Sequence, residues 1–289
     1  MYDYIIVGAG AAGCVLASRL SEDPDVRVLV VEAGGPDTSD NIHVPVAFGQ
    51  LFKTALDWDY SSAPEPLCNG RRIYLPRGKT LGGCSSCNAM VYIRGNRLDY
   101  DEWRDLGNPG WGYDDILPYF KRAEDNERGA SEYHGVGGPL SVSDGRSRNV
   151  MMPAFLEAAQ GAGLSLNDDF NGAVQDGCGL YQVTQRGGRR CSAAVAYLHP
   201  AMQRPNVTVE THVQVHRVLF EGNRAVGVTG ARFGETVEFR AEREVILSGG
   251  AYNSPQLLML SGVGPATALS GLQIPVVADL PGVGRNLQD

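Results

Sequence analysis

An α/β fold built on a parallel sheet is predicted by three features of this sequence. Tyr4-Ile-Ile-Val7 and Asp25-Val-Arg-Val-Leu-Val-Val31 are short β-branched runs of the kind buried on both faces of a sheet. Between them, Gly8-Ala-Gly10-Ala-Ala-Gly13 opens a stretch from Cys14 to Ser21 whose apolar residues recur at helical spacing. Further on, alternating segments between residues 206 and 248 are broken by Glu-Gly-Asn and Phe-Gly-Glu turns, which predicts a β-meander beside that unit.

Composition sets limits on function. The chain has 289 residues, 43% hydrophobic and 20% charged, enough for one large domain or two ordinary ones with real cores. A net charge of −8 argues against nucleic acid or an anionic membrane surface as main partner, since both reward clustered Lys and Arg. The 37 glycines are about twice the usual share and follow no triplet repeat, so they belong where backbone turns sharply or meets a ligand. Met1-Tyr-Asp-Tyr4 leads directly into the first strand. With no basic leader and no long apolar run, neither a signal peptide nor a transmembrane segment is expected, and the location reads as cytoplasmic. Cysteines 14, 68, 84, 87, 178 and 191 are too sparse for a disulfide framework and read as reduced thiols. The sequon Asn206-Val-Thr208 then reads as chance.

Taken in order, strand, Gly-rich turn, helix and second strand make a right-handed βαβ unit ending at Glu32. Residues 33–78 are rich in Gly, Pro, Asn and Asp and predict long surface excursions. A second glycine cluster follows at Gly78-Lys-Thr-Leu-Gly82-Gly83-Cys-Ser-Ser-Cys-Asn88. Residues 99–128 and Met152–Ala162 predict helices, the first carrying an amphipathic stripe from Asp114. The meander takes in Val207–Glu210, Val213–Phe220, Ala225–Val228, Thr236–Phe239 and Glu244–Ser248. Ser254-Pro255 predicts a helix start, with Pro at the first helical position, and Gly262 its end.

Two constellations carry chemistry. In Gly8-x-Gly10-x-x-Gly13, the first glycine permits the strand-to-helix turn and the second lets a pyrophosphate approach the backbone. The third lets the helix pack on the strand, and the helix's first amides and dipole then face the phosphate charge. Glu32 stands 19 residues past Gly13, where a carboxylate accepts hydrogen bonds from ribose hydroxyls. This predicts dinucleotide binding without separating NAD from FAD. In the second cluster, Gly82 and Gly83 would let backbone press on a flat ring, and a helix start would offer amides to a reduced flavin's negative edge. The plainer alternative is a helix capped by Ser85 or Ser86. Cys84-Ser-Ser-Cys87 spells a CxxC pair but lacks a thioredoxin-like setting or a second pair for zinc, so no metal is expected.

Longer motifs name a family. Pro76-Arg-Gly-Lys-Thr-Leu-Gly-Gly-Cys-Ser-Ser-Cys-Asn-Ala-Met-Val-Tyr-Ile-Arg-Gly95, with Asp99-Tyr-Asp-Glu-Trp103 after it, resembles the first signature of the glucose–methanol–choline (GMC) oxidoreductases. Gly250-Ala-Tyr-Asn-Ser-Pro-Gln-Leu-Leu-Met-Leu-Ser-Gly-Val-Gly-Pro265 resembles the second. Arg190–Leu198 and Pro281–Asp289 also look like that family, and the match runs over the whole chain. It is similar to bacterial alcohol and choline dehydrogenase-like members. The resemblance implies a Rossmann-like FAD-binding domain over residues 1–104 and 189–289, with part of a substrate-side domain at 105–188. It implies FAD rather than NAD, with the diphosphate at Gly8, Gly10, Ala11, Ala12 and Gly13 and the ribose at Glu32 and Ala33. The flavin would lie beside Gly78, Leu81, Gly82, Gly83, Cys84, Asn88, Ala89 and Val91. Val213 would meet the adenine through its backbone, and Ser248, Gly249 and Gly250 would return the sheet to the dinucleotide. Cys87 aligns with a position where some relatives join a histidine to the flavin, though noncovalent FAD is the expectation.

The family reaction is oxidation of an alcohol, by hydride transfer to flavin N5 while a histidine takes the hydroxyl proton; oxygen or a quinone re-oxidises the flavin. That histidine lies in the C-terminal part of chains roughly twice this long. His43, His134, His199, His212 and His216 match none of the catalytic positions, and His212 and His216 read as a solvated strand face. No catalytic residue is carried over, so activity is expected of a longer protein or of a complex with a partner chain. Two other readings are a family lyase that uses flavin structurally and a non-catalytic flavin-binding piece. A third, an NAD dehydrogenase, requires both signatures to be coincidence.

Overall fold

The computed structural model describes residues 1–147 and 149–288; Arg148 and Asp289, the last position of the Pro281–Asp289 segment, lie outside the described residues. The chain forms two compact units. One comprises Met1–Ile42, Val46–Cys87 and Ser192–Asp289, the other His43–Pro45 and Asn88–Cys191.

The first unit is organised by a 6-stranded sheet. Its strands are β1 (Tyr2–Val7), β2 (Val28–Val31), β3 (Val207–Glu210), β4 (Val213–Glu221), β5 (Arg224–Arg232) and β6 (Glu235–Leu247), in the order β3-β2-β1-β6-β5-β4. Helix α1 (Ala11–Leu20) crosses from β1 to β2. Pairing is parallel from β3 through β2 and β1 to β6, then antiparallel from β6 through β5 to β4. All four residues of β2 and both Ile5 and Ile6 of β1 are buried, as their β-branched runs require. Each such side chain contributes about 1.5–3 kcal/mol of transfer free energy.

Strand β6 joins the two halves. Gly227–Arg232 pair with its first residues, whereas its last residues, Glu244–Leu247, run beside Tyr4–Val7. The segments expected as two separate strands, Thr236–Phe239 and Glu244–Ser248, are thus one. Val207–Glu210 likewise leaves the expected meander and becomes the parallel edge strand beside β2. Alternation marks a strand but not its neighbour. Helix α2 (Gly250–Leu260) starts four residues before Ser254, with Pro255 inside it; Gly249 is the N-cap and Gly262, at φ +88°, ends it. Ser261 Oγ accepts the Val218 amide at 2.8 Å and ties this helix end to β4.

The second unit holds a 4-stranded sheet in the order Val91–Tyr92, Gln182–Val183, Leu140–Asp144, Glu124–Asn126. The helical stretch expected over 99–128 divides into Arg97–Asp105 and Tyr113–Ala123 and ends in the strand at Glu124. Gly107 (φ +102°) and Gly110 (φ +85°) force the break. The helix expected at 152–162 occupies Met151–Gly161. Polar residues dominate this unit's interior: Arg94, Glu124, Asn126, His134, Ser141, Asn171 and Gln182 are all buried.

Candidate functional site

The Gly8–Gly13 turn separates glycines the protein needs from one it does not. A Cβ on Gly8 (φ +100°) would stand 2.6 Å from the Ser248 carbonyl oxygen, and one on Gly13 would stand 2.0 Å from the Gly8 carbonyl oxygen. Protein packing demands glycine at both. A Cβ on Gly10 would meet only Ser248 O, at 3.8 Å, so its bare backbone face is open to a ligand. Gly10 caps α1 with no side-chain hydrogen bond, no acidic residue follows in the first turn, and Ala11 and Ala12 are exposed there. The helix therefore presents free amides and its positive dipole end, the groups an anionic diphosphate satisfies. Ser248 donates its amide to Val7 O at 2.8 Å, which seats Ser248 and Gly249 against Gly8.

Glu32 ends β2 as a buried carboxylate. Oε2 accepts the Ala9 amide and Oε1 the Gly34 amide, each at 2.8 Å. The Glu32 carbonyl accepts the Val213 amide at 2.9 Å, so the ribose and adenine positions of the prediction are joined through backbone. Burial pushes the Glu32 carboxyl above its ordinary range, while the Gly34 and Ala9 amides and the charge of Lys79 pull it back. Each oxygen keeps a lone pair for a hydroxyl donor. Ala33 follows, half-buried.

The second glycine cluster packs directly on the first. Gly82 donates its amide to Ala9 O at 2.7 Å, and a Cβ on Gly83 would stand 2.8 Å from Gly10 Cα. Gly78 lies equally close, its Cβ position 2.3 Å from Gly83 O. Gly83–Ser86 is a single 3₁₀ turn, not the start of a longer helix. Ser85 donates to Gly82 O and accepts from the Ala193 amide, while Ser86 donates to Leu81 O, so both hydroxyls brace the turn. Leu81 is buried. Cys84 is exposed, whereas Cys87 turns inward among Ile42, Leu51 and Leu56. Asn88, Ala89 and Val91 are exposed residues of the second unit; Asn88 Oδ1 accepts from the Met90 amide and from Arg190 Nη1, each at 3.0 Å.

The histidines are engaged elsewhere. His134 is buried in the second unit, its Nδ1 2.9 Å from Glu124 Oε1 and its Nε2 3.0 Å from Asp169 Oδ2. Arg94 Nη2 donates to the other Glu124 oxygen at 3.0 Å. This ion-pair chain joins residues 94, 124, 134 and 169, whose sequence spacing carries no signal. His199 pairs with Asp37, and His212 and His216 are exposed on β4 and the turn before it. All six cysteines are free, and among the described residues no group of three or more His, Cys, Asp or Glu side chains is arranged to hold a metal ion.

A parallel sheet, a bare glycine turn at a helix start and a buried strand-end carboxylate define a dinucleotide-binding α/β protein. The pattern of the family described as GMC oxidoreductase matches residues 2–289. This chain belongs to that family. It is 51% identical over 296 residues to the mitochondrial choline dehydrogenase of Homo sapiens, covering 100% of this chain and 50% of the relative. To the alcohol dehydrogenase [acceptor] of Pseudomonas putida it is 50% identical over 293 residues, covering 100% of this chain and 53% of the relative. A solved FAD-dependent oxidoreductase from Chaetomium thermophilum superposes with a TM-score of 0.94 at 35% identity, covering 100% of this chain and 52% of the other. The chain spans about half the length of the curated relatives it matches. Among the described residues, no helix is long and apolar enough to cross a membrane.

Proposed function

We propose that this chain is the cofactor-holding part of an enzyme that oxidises a small alcohol with FAD, choline being the leading substrate class. The observation that carries the reading is the close approach of Gly83 to Gly10, where a Cβ on Gly83 would stand 2.8 Å from Gly10 Cα; it supports one site for diphosphate and flavin. The residues fit a dinucleotide: amides at the start of α1 bind the diphosphate, Glu32 orients the ribose, and Gly82 and Gly83 offer uncovered backbone to the ring. FAD, when bound, supplies the acceptor for the hydride leaving the carbinol carbon.

The base that takes the hydroxyl proton is proposed to lie outside these 289 residues, in a longer polypeptide or a partner chain. His134 and His199 are committed to carboxylates, which leaves neither as a neutral acceptor facing a substrate. The names of the two relatives support an alcohol or choline as substrate. Oxygen or a quinone is the proposed electron acceptor, and the proposed location is cytoplasmic, although the human relative is named as mitochondrial. The test is anaerobic. Flavin-loaded protein is mixed with choline, benzylic and primary aliphatic alcohols, and the visible flavin band is followed. Bleaching in a polypeptide extended to the length of the relatives, and none in the 289-residue chain, supports the reading. Bleaching by the 289-residue chain alone puts a base within it and overturns this part.

A further inference from the structure

The loop after β2 is pinned at several points. Gly34 O accepts the His212 amide at 2.9 Å, and Gly35 O accepts the Leu81 amide at 3.1 Å and Thr80 Oγ1 at 3.0 Å. The Gly34 amide itself holds Glu32 Oε1. These bonds do not titrate on the loop side. At the far end stands Asp37, its side chain only 4% exposed, with Oδ1 2.9 Å from His199 Nε2. His199 opens the short helix His199–Ala201, which follows the buried turn Ala194–Leu198; both pack against α1. One imidazole therefore links the loop that carries the Glu32 contacts to the helix whose start faces the diphosphate.

We propose that His199 is a positioning residue for the dinucleotide site: its bond to Asp37 fixes loop 33–37 and so makes FAD affinity depend on pH. The inference rests on the cofactor reading above. Cys14, on α1, is pushed up to about 12 by burial, with the charges of Glu32 and Asp37 adding to the shift, so it stays a neutral thiol. Glu32 faces from the end of β2, with Lys79 beside it from the glycine-rich segment, and the His212 ring lies against Gly35. The hydrogen bond to Asp37 holds the His199 imidazole above its ordinary value, with burial opposing and the Asp37 charge adding. The protonated pair is then complete below about pH 6.5, and its charge is lost as pH rises through the raised value. Neutral imidazole still donates from Nε2, so the clamp weakens and does not break.

The experiment follows FAD dissociation constants by fluorescence from about pH 6 to 9, alongside amide exchange of residues 33–37 in the cofactor-free chain. The wild-type constant should rise about fivefold across this range, the low end for coupled sites. His199→Gln, which keeps a neutral donor, should remove that dependence, and His199→Ala should lose exchange protection over 33–37. A flat wild-type profile with unchanged protection in His199→Ala overturns the clamp while leaving FAD binding intact. No FAD binding at any pH, with protection still lost in His199→Ala, overturns the cofactor reading and with it the role of His199 there, but leaves the clamp itself standing.

Discussion

Glu32 Oε2, at the end of β2, accepts the amide of Ala9, in the turn after β1, at 2.8 Å. The bond locks the ends of two parallel strands together. It also means that Glu32 serves the protein before it serves any cofactor.

Glu32→Ala removes the acceptor of the Ala9 and Gly34 amides and the proposed acceptor for the ribose. FAD binding should weaken by about 1.5–3 kcal/mol, the scale of hydrogen bonds to a charged group. Titration by flavin fluorescence measures it, with a thermal melt confirming that the variant is folded. An unchanged constant would reduce Glu32 to a strand-end brace.

Gly83 and Gly10 make opposite predictions. Gly83→Ala drives a Cβ to 2.8 Å from Gly10 Cα at φ +52°, so urea unfolding should show a loss of about 1–3 kcal/mol. Gly10→Ala meets nothing nearer than 3.8 Å and should leave stability within about 1 kcal/mol, the modest scale of a fitting Gly-to-Ala change. Its methyl group would occupy the space proposed for the diphosphate, so FAD affinity should fall by at least about tenfold, or 1.4 kcal/mol. Equal stability loss in both variants would mean the turn is built for packing alone.

The second unit should be most stable in mildly acidic solution. Burial pushes Glu124 up, but the hydrogen bonds of His134, Asn126 and the Gly135 amide outweigh it and hold its carboxyl below the ordinary value. Its contribution is present above about pH 4.5 and is lost as pH falls through the lowered value. The Glu124 hydrogen bond lifts His134 above its ordinary value against burial, with Asp169 adding. That contribution is present below about pH 6.5 and is lost as pH rises through the raised value. His134→Gln should flatten the alkaline limb of a melting-temperature profile and also weaken the acid limb, because His134 is the main group holding Glu124 down. Arg94→Ala, which removes one charged donor from a Glu124 carboxylate still held by His134, Asn126 and the Gly135 amide, should cost about 1.5–3 kcal/mol. A pH-independent melt of the wild-type chain would contradict both assignments.

The βαβ unit was legible because its signals are local: β-branched runs, glycines at fixed offsets and Glu32 at the strand end. Strand partners were not. Val207–Glu210 alternates like a meander strand, yet its neighbour is β2, far earlier in the chain, a choice set by the whole sheet. Ser254-Pro255 imitates a helix start, but α2 begins at Gly250 because the turn must leave β6 immediately after packing against Gly8. Ser85 and Ser86 look like caps and instead brace a single turn. The Arg94–Glu124–His134–Asp169 chain was invisible because tertiary structure alone brings those residues together.

The most direct test of the central claim is the cofactor itself. The 289-residue chain is purified, saturated with FAD or NAD in parallel, freed of excess and precipitated with acid. One equivalent of FAD released into the supernatant, with no NAD retained, is the predicted result. A colourless protein that holds NAD would contradict the cofactor assignment, and flavin remaining in the pellet would contradict its noncovalent form and point to Cys87.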